Sequence, residues 1–277
     1  MGNFLRSFIQ RAITGILFVL VLGAAFMIGP LTYAVFMTSV ITLATFEYCR
    51  LLKAGGMSPH FFMALATNIA AFTLGFLVNQ TGFDIRLMLV IVGLVWIMFL
   101  VELFSANANP MTNIALTILG CVYVGVPFAL FNLLAFKTGV YDYRPLIGLF
   151  ILVWINDTGA YLCGVAFGKH KLYERISPKK TIEGFVGGVI LTMVAGWIIC
   201  AFCGDFFFHA GMIFSIVAAA IVATIGTCGD LVESMFKRSV QVKDSGNILP
   251  GHGGILDRFD AIMFTAPIIS LLYYFFI

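Results

Sequence analysis

The sequence predicts an all-α, polytopic integral membrane protein. Of its 277 residues, 61% are hydrophobic and only 10% are charged, whereas a soluble domain carries about 25% charged residues. The mean hydropathy is +1.04, and apolar runs long enough to cross a bilayer recur along the whole chain. Because too few polar residues are present to cover a water-soluble fold of this length, soluble classes of protein are excluded.

The apolar runs predict about nine transmembrane helices, since a helix needs about 20 apolar residues to cross the hydrocarbon. Gly29 and Pro30 predict a tight turn between the first two helices. The predicted spans are 12–29, 31–49, 61–79, 87–104, 112–135, 146–165, 185–203, 212–229 and 259–277.

The basic residues predict the orientation, because Lys and Arg collect in the cytoplasmic loops of membrane proteins. With the N-terminus in the cytoplasm and the C-terminus outside, all 16 Lys and Arg residues except Arg86, Lys137 and Arg144 fall on the cytoplasmic side. Two long charged loops, 166–184 and 230–258, then share that side.

The two halves of the chain differ in charge, which predicts different roles for them. Spans up to residue 145 carry few ionisable groups, and we expect these to pack between helices or enclose a lipid, with catalysis as the less favoured alternative. They are Glu47, Glu102, Asp84 and Asp142. Residues 1–145 are therefore predicted to be a scaffold that admits lipid or forms a dimer contact. Residues 146–277 carry the clustered charge and are predicted to hold the catalytic site. The six cysteines show no zinc-like spacing and are expected to be buried small residues.

Three acidic residues at a predicted membrane boundary form the core of the candidate site. Asp230 ends the eighth span, after glycines that would let another backbone approach closely, and Asp257 and Asp260 share one face of the ninth helix. Such carboxylates repel one another unless a cation lies between them, and oxygen ligands suit Mg²⁺. Alternatively, the carboxylates cap helix ends or pair with Lys237 and Arg258. Spacing alone leaves both interpretations open.

A glycine-rich turn and a basic run lie between these acids. The turn leads into a helix, so its backbone N–H groups could face an anion; it contains Gly251, His252, Gly253 and Gly254. Glycine-rich turns are common between membrane helices, so the signal is weak alone. The basic run, Lys237, Arg238 and Lys243, follows Asp230 on a predicted cytoplasmic helix, where Glu233 and Lys237 would form an i,i+4 pair. Cytoplasmic bases usually reflect topology only, but here they alternate with acids.

The other charged loop repeats this chemistry. Asp157 lies inside the sixth span with Tyr161 one turn later, and an intramembrane Asp either is functional or bonds a neighbouring helix. Two lysines precede a predicted helix start at which Ser177 or Thr181 could cap. These lysines, Lys179 and Lys180, predict a site for a triphosphate or a lipid phosphate.

The run SMFKRSVQVKDSGNILPGHGGILDRFD, residues 234–260, resembles the signature of the phosphatidate cytidylyltransferase (CDP-diacylglycerol synthase) family. The upstream segments NDTGAYLCGVAFGKHK, SPKKTIEG and GDLVES also resemble that family. The likeness is specific over about residues 150–260, and covers the N-terminal half only through hydropathy and span count. The matching signature positions are Ser234, Lys237, Arg238, Lys243, Asp244, His252, Gly253, Gly254, Asp257, Arg258 and Asp260.

The resemblance implies that CTP and phosphatidate give CDP-diacylglycerol and pyrophosphate, with Mg²⁺ required and the number of cations, one or two, left open. It also implies a homodimer in the inner (cytoplasmic) membrane, with the active site facing the cytoplasm and no nucleic-acid partner. Asp230, Asp257 and Asp260 would be metal ligands, and Asp244 would orient a lysine or the metal's waters. The phosphate contacts would be Lys179, Lys180, Lys237, Arg238, Lys243 and Arg258. Ser177, Asp157, Tyr161 and the glycine-rich turn with His252 would bind substrate.

Three rival functions remain at this stage. An intramembrane aspartyl protease could use Asp157 and Asp230, but it needs neither metal nor basic loops. A transporter could use the same two residues as a cation path. A cytidylyltransferase acting on another lipid is the closest rival, because lipid selectivity would lie in unmarked apolar surfaces.

Overall fold

The computed structural model confirms an all-α, multi-pass architecture. The structure describes residues 2–105, 107–203, 211–242, 245–246, 248 and 253–276, and the side chains of residue 10 and of residue 12 onward within them. The helices in these ranges are α1 (Gly2–Ile28), α2 (Pro30–Ala54), α3 (Phe61–Thr81), α4 (Leu89–Leu103), α5 (Pro110–Gly120), α6 (Val126–Ala135), α7 (Arg144–Phe167), α8 (Ile182–Cys203), α9 (Gly211–Ser239) and α10 (Leu256–Phe276).

The predicted spans agree with these helices to within a few residues at most boundaries. Across the described ranges, eight helical stretches are long and apolar enough to cross a membrane, and the shorter apolar stretch Ala12–Ile28 of α1 accounts for the ninth prediction. The fourth span begins with a 3-10 turn, Ile85–Met88. The fifth span consists of α5 and α6 joined by a π-helical turn, Cys121–Gly125.

Both charged loops contain regular structure. Helix α9 continues to Ser239, so the cytoplasmic helix predicted after Asp230 is present and is continuous with the eighth span. The loop 166–184 contains an antiparallel β-hairpin of β1 (Lys171–Tyr173) and β2 (Ser177–Thr181), which the all-α prediction did not include. The backbone that carries these charged residues is therefore fixed by regular hydrogen bonds in both elements.

Helix α10 lies at the centre of the packing, against α2, α6, α7 and α9. Its residue Phe259 is fully buried and makes ring contacts with Phe18 of α1, Phe128 of α6 and Phe150 of α7, at centroid distances of 6.0, 5.5 and 5.7 Å. Edge-to-face ring pairs of this kind contribute about 0.5–1.5 kcal/mol each beyond area burial. Residues from both sides of position 145 thus share one core around the start of α10.

Helices α9 and α10 touch at Gly229, as expected from the glycine before Asp230. A Cβ at Gly229 would lie 2.7 Å from the Asp260 carbonyl oxygen and 3.0 Å from the Phe264 Cβ. Small residues at such crossings let helix backbones approach in a membrane, where close packing replaces the hydrophobic effect. The contact places the Asp230 end of α9 beside the Asp260 turn of α10.

Candidate active site

Three carboxylates converge where α7, α9 and α10 meet. Asp157 of α7, Asp230 of α9 and Asp260 of α10 are near enough to repel one another. The neighbouring Asn156 is buried and donates to Thr227 of α9 at 3.3 Å. This bond sets the register between α7 and α9 one residue away from Asp157. The predicted intramembrane Asp therefore belongs to the same cluster as the acids of the signature.

A cleft of about 440 Å³, the hairpin cleft, opens on one side of this cluster. The hairpin, α7, α8 and α9 form its walls, and it is lined by Asp157, Tyr161, Lys179, Lys180 and Asp230 among other residues. The structure therefore brings together five of the predicted site residues from three separate stretches of sequence.

A second cleft of about 340 Å³, the α1 cleft, opens on the other side. Phe18 and Val19 of α1 supply an apolar wall, and Asp157, Arg258 and Asp260 line the polar end. Asp157 is common to the two clefts, which therefore meet at the carboxylate cluster.

Lys180 connects the hairpin to the carboxylates. Its Nζ lies 2.6 Å from Asp230 Oδ2, and the exposed Lys179 lines the same cleft. Of the two predicted caps, Thr181 is the one observed, because its Oγ1 accepts from the Gly184 N–H at 3.1 Å. Ser177 instead pairs with Tyr173 in the hairpin, and is not among the residues that line the cleft.

Glu183, in the first turn of α8, holds the other end of the hairpin. Its carboxylate accepts the backbone N–H groups of Lys169 and His170 at 3.0 and 3.2 Å. It also lies 2.5 Å from the His170 Nδ1. From the sequence Glu183 was expected only in the first turn of this helix, where an acid is a common helix-stabilising feature. Its contacts show that it positions the strand pair carrying Lys179 and Lys180.

Lys237 lies between two acids. Its Nζ is 2.6 Å from Asp257 Oδ1 and 3.2 Å from Glu233 Oε2, and its side chain is 11% exposed. Of the two interpretations left open for Asp257, the ion pair with Lys237 is present in the structure. A phosphate contact by Lys237 stays a prediction, and it requires the ammonium group to share or leave this pair.

Asp257 fastens the loop between α9 and α10. Its Oδ2 accepts the Ser245 N–H at 3.2 Å, the Ser245 hydroxyl at 2.9 Å and the Gly254 N–H at 2.8 Å. Its Oδ1 accepts only from Lys237 among the described residues. A carboxylate oxygen has two lone pairs, so this atom keeps capacity for a cation. The predicted metal role of Asp257 is thus compatible with its structural role.

Other predicted site residues lie around this loop or outside the described part of the chain. Arg258 lines the α1 cleft, and Arg238 donates to the Val242 carbonyl at 3.2 Å. Gly253 has a φ of +81°, a left-handed conformation that favours glycine. Four predicted residues, Lys243, Asp244, Gly251 and His252, fall outside the described residues.

Metal ligation by side chains alone is not evident in the described part of the chain. Within it, no group of three or more His, Cys, Asp or Glu residues is arranged to hold a metal ion. Mg²⁺ does not need such a cage, because it usually binds through one or two carboxylates, waters and substrate phosphates. The oxygen donors of Asp230 and Asp260 are of the type that Mg²⁺ prefers.

Fold and site together define a class of protein. It is a multi-pass membrane protein whose carboxylates and lysine lie where two clefts meet, and each cleft is lined by both charged and apolar residues. Residues 9–276 match the cytidylyltransferase family, so the chain belongs to that family and is a nucleotidyltransferase. The match includes the N-terminal half, which the signature motifs do not reach.

Several staphylococcal proteins named phosphatidate cytidylyltransferase are similar to this chain. The protein of Staphylococcus saprophyticus is 38% identical over 182 residues, which are 66% of this chain and 67% of that protein. That of Staphylococcus epidermidis is 40% identical over 183 residues, 65% and 68% of the two chains. That of Staphylococcus aureus is 42% identical over 168 residues, 61% and 62% of the two chains. The resemblance found in the signature is confirmed.

Proposed function

We propose that this chain is a phosphatidate cytidylyltransferase, which transfers CMP from CTP to phosphatidate and gives CDP-diacylglycerol and pyrophosphate. The observation that carries the proposal is the meeting of two clefts at Asp157. The lysine-lined hairpin cleft suits a triphosphate, and the α1 cleft suits a lipid phosphate attached to apolar chains. The name of the staphylococcal relatives supports the same substrates.

The reaction needs charge neutralisation more than proton transfer. An oxygen of the phosphatidate phosphate, already ionised at neutral pH, attacks the α-phosphorus of CTP. The bond from that phosphorus to the oxygen bridging to the β-phosphate breaks, and pyrophosphate leaves with the electron pair. Fixed positive charges around both phosphates lower the barrier, because negative charge shifts towards the leaving group in the transition state. We therefore assign His252 to hydrogen bonding and not to general base catalysis.

The lysines and arginines of the site would share the phosphates. Lys179 and Lys180 would bind the triphosphate in the hairpin cleft, and Arg258 would bind the lipid phosphate in the α1 cleft. The acyl chains would enter from the bilayer past Phe18 and Val19. Additional phosphate contacts are assigned to Lys237, Arg238, Lys243, His252 and the backbone of Gly251 and Gly253, with Asp244 orienting a lysine or bound water. The predicted contact of the Gly254 backbone is not kept, because its N–H donates to Asp257.

The carboxylate cluster fits Mg²⁺. Asp157, Asp230 and Asp260 repel one another, and the nearby charges of Lys180, Arg258 and Lys237 oppose that repulsion. The proposed ligands are Asp230, Asp257 and Asp260, of which one or two at a time would hold an ion together with waters and substrate phosphates. When bound, Mg²⁺ supplies Lewis-acid neutralisation of phosphate oxygens. One or two cations suit this donor set, and metal titration of the activity would count them.

The location of the site also belongs to the proposal. The basic residues favour a cytoplasmic N-terminus and an external C-terminus, which would place the hairpin and the carboxylate cluster at the cytoplasmic face of the inner membrane. CTP would then reach the site directly from the cytoplasm. We also propose a homodimer, with residues 1–145 as the half that contributes the dimer contact.

The test is incorporation of [α-³²P]CTP into chloroform-extractable lipid by purified protein with phosphatidate and Mg²⁺. Asp230→Asn and Asp260→Asn should each lower the rate by about 100-fold or more, on the scale of lost electrostatic stabilisation at an active site. Asp84→Asn is the matched control, since Asp84 is an exposed carboxylate that caps the 3-10 turn.

Each outcome of this test has a defined meaning. Incorporation that survives both substitutions would leave the reaction in place and overturn the ligand assignments. Incorporation only with another lipid phosphate would change the acceptor. No incorporation by the wild-type protein with any lipid phosphate would contradict the proposed function.

A further inference from the structure

Glu47 is a buried acid in the N-terminal half that reaches the signature loop, defined as the described residues 245–246 and 253–255 between α9 and α10. It lies near the end of α2 and its exposed fraction is 0%. Its Oε2 accepts the Leu256 N–H at 2.9 Å and lies 3.4 Å from the Ser245 hydroxyl. Glu47 therefore connects the end of α2 to the start of α10, although its partners Ser245 and Leu256 lie 198 and 209 positions later in the sequence.

The backbone of two glycines in the signature loop lies directly against this carboxylate. A Cβ at Gly246 would collide with Glu47 Oε1, and a Cβ at Gly254 would collide with Glu47 Oε2. The described loop backbone therefore passes on both sides of the carboxylate at contact distance. The glycines allow this approach because they lack a side chain.

The same loop atoms connect Glu47 to Asp257. The Ser245 hydroxyl lies between the two acids, 2.9 Å from Asp257 Oδ2, and the Gly254 N–H donates to that same oxygen at 2.8 Å. Ser245 and Gly254 thus contact Glu47 on one side and Asp257 on the other. A displacement of Glu47 would move the atoms that orient Asp257.

A carboxylic acid is a costly choice for pure packing at this position. Burial of a polar group costs free energy unless its hydrogen bonds are satisfied. Glu47 Oε1 has no hydrogen-bond partner among the described residues, so within that part of the chain only one of its two oxygens is satisfied. An apolar residue would fill the space between helices without that cost. The acceptor at the Leu256 N–H is what an apolar side chain cannot supply.

We propose that Glu47 is a positioning residue for the proposed cytidylyl transfer, which fixes the signature loop and through it the orientation of Asp257. The inference rests on the proposed function for its kinetic consequence and on the loop contacts alone for its structural one. It assigns the N-terminal half a part in the active site beyond that of a scaffold. It also accounts for glycine at two positions of the loop.

The kinetic test compares Glu47→Ala, Glu47→Asp and Glu47→Gln with Glu102→Ala. Glu102 is the matched control, being an equally buried acid of the same half whose partners are His60, Asn107 and Asn113. We expect Glu47→Ala and Glu47→Asp to lower kcat by about tenfold or more with little change in the KM for CTP, since displaced catalytic groups lose rate steeply. Glu47→Gln keeps an acceptor oxygen and should remain within about threefold of wild type.

A second measurement does not depend on activity. Hydrogen exchange at the Leu256 amide should accelerate by about tenfold or more in Glu47→Ala and Glu47→Asp, and stay unchanged in Glu102→Ala and Glu47→Gln. A wild-type preparation that transfers no CMP would contradict the proposed function. The exchange measurement would still test whether Glu47 fixes the Leu256 amide. A wild-type kcat in Glu47→Asp, or unaltered Leu256 exchange in Glu47→Ala, would overturn the positioning role.

Discussion

The charged residues of the site form ion pairs with one another. Lys180 pairs with Asp230, and Lys237 pairs with both Asp257 and Glu233. In surroundings of low polarity, removal of one partner leaves an uncompensated charge, which costs more than the pair itself contributes. Lys180 lines an open cleft, whereas Lys237 is largely enclosed. Substitution of the two lysines should therefore have different consequences.

Lys180→Ala should lower kcat/KM for CTP by about 10-fold to 100-fold, because a phosphate contact and the partner of Asp230 disappear together. Lys171→Ala, on the other strand of the hairpin, is the control and should leave kcat/KM unchanged. Steady-state kinetics of both purified variants measure the effect. Equal kinetics in Lys180→Ala and wild type would remove Lys180 from the proposed triphosphate site.

Lys237→Ala should destabilise the protein by about 3 kcal/mol, since Asp257 and Glu233 would lose their shared cation. Arg238→Ala, one residue later and exposed, should change stability by less than about 0.5 kcal/mol. Thermal unfolding in detergent compares the two variants. Similar melting temperatures for both would show that Lys237 does not hold the acids together.

Local sequence patterns predicted the helices that position the site better than they predicted its strands. The eighth span was predicted to end at 229, where hydropathy falls, and a cytoplasmic helix was predicted to follow Asp230. In the structure both belong to α9, and the predicted i,i+4 ion pair of Glu233 and Lys237 is present at 3.2 Å. The hairpin was missed because its strands are short and polar, without the alternation that marks a half-buried strand.

Glu183→Ala should loosen the hairpin without unfolding the helices, because its carboxylate accepts two backbone N–H groups at the hairpin's base. We expect faster hydrogen exchange across Lys171–Thr181 and a severalfold higher KM for CTP, with a smaller change in kcat. Glu174→Ala, an exposed acid in the same hairpin, is the control. An unchanged KM together with unchanged exchange would contradict the positioning role of Glu183.

Gly229→Ala should separate α9 from α10, because the added Cβ would meet the Asp260 carbonyl oxygen at 2.7 Å. Overpacking of this kind costs about 1–3 kcal/mol, and the displaced carboxylates should lower CMP transfer. Gly93→Ala is the control, since a Cβ there has no atom within 4 Å. Melting temperature and activity are measured together, and wild-type values of both for Gly229→Ala would refute the close crossing.

For the molecule as a whole, the membrane architecture and the residues of the signature could be predicted from the sequence, but the long-range contacts could not. Apolar run lengths predict the spans because bilayer thickness sets helix length. Nothing local predicts that Glu47 meets Ser245 and Leu256, since the contact depends on how α2 packs on the start of α10. The pairing of Lys237 with Asp257 also stayed open until the helices were placed.

The proposed orientation can be tested at the two ends of α7. Because α7 is long enough to cross the membrane once, the loop before it and the hairpin after it should lie on opposite sides. A cysteine introduced by Thr138→Cys should react with a membrane-impermeant thiol reagent in intact cells. One introduced by Lys171→Cys should react only after lysis. Corrected for the labelling of native cysteines, the reverse pattern would invert the topology and move the proposed site to the outer face.

The most direct test of the proposed reaction follows two labels of CTP in parallel reactions with phosphatidate. The account predicts that ³²P from the α-position enters the lipid fraction, while ³²P from the γ-position appears as pyrophosphate in equal amount. Label from the γ-position in the lipid would indicate phosphoryl transfer instead. Release of both labels into water-soluble products without lipid labelling would indicate hydrolysis, and either result would contradict cytidylyl transfer.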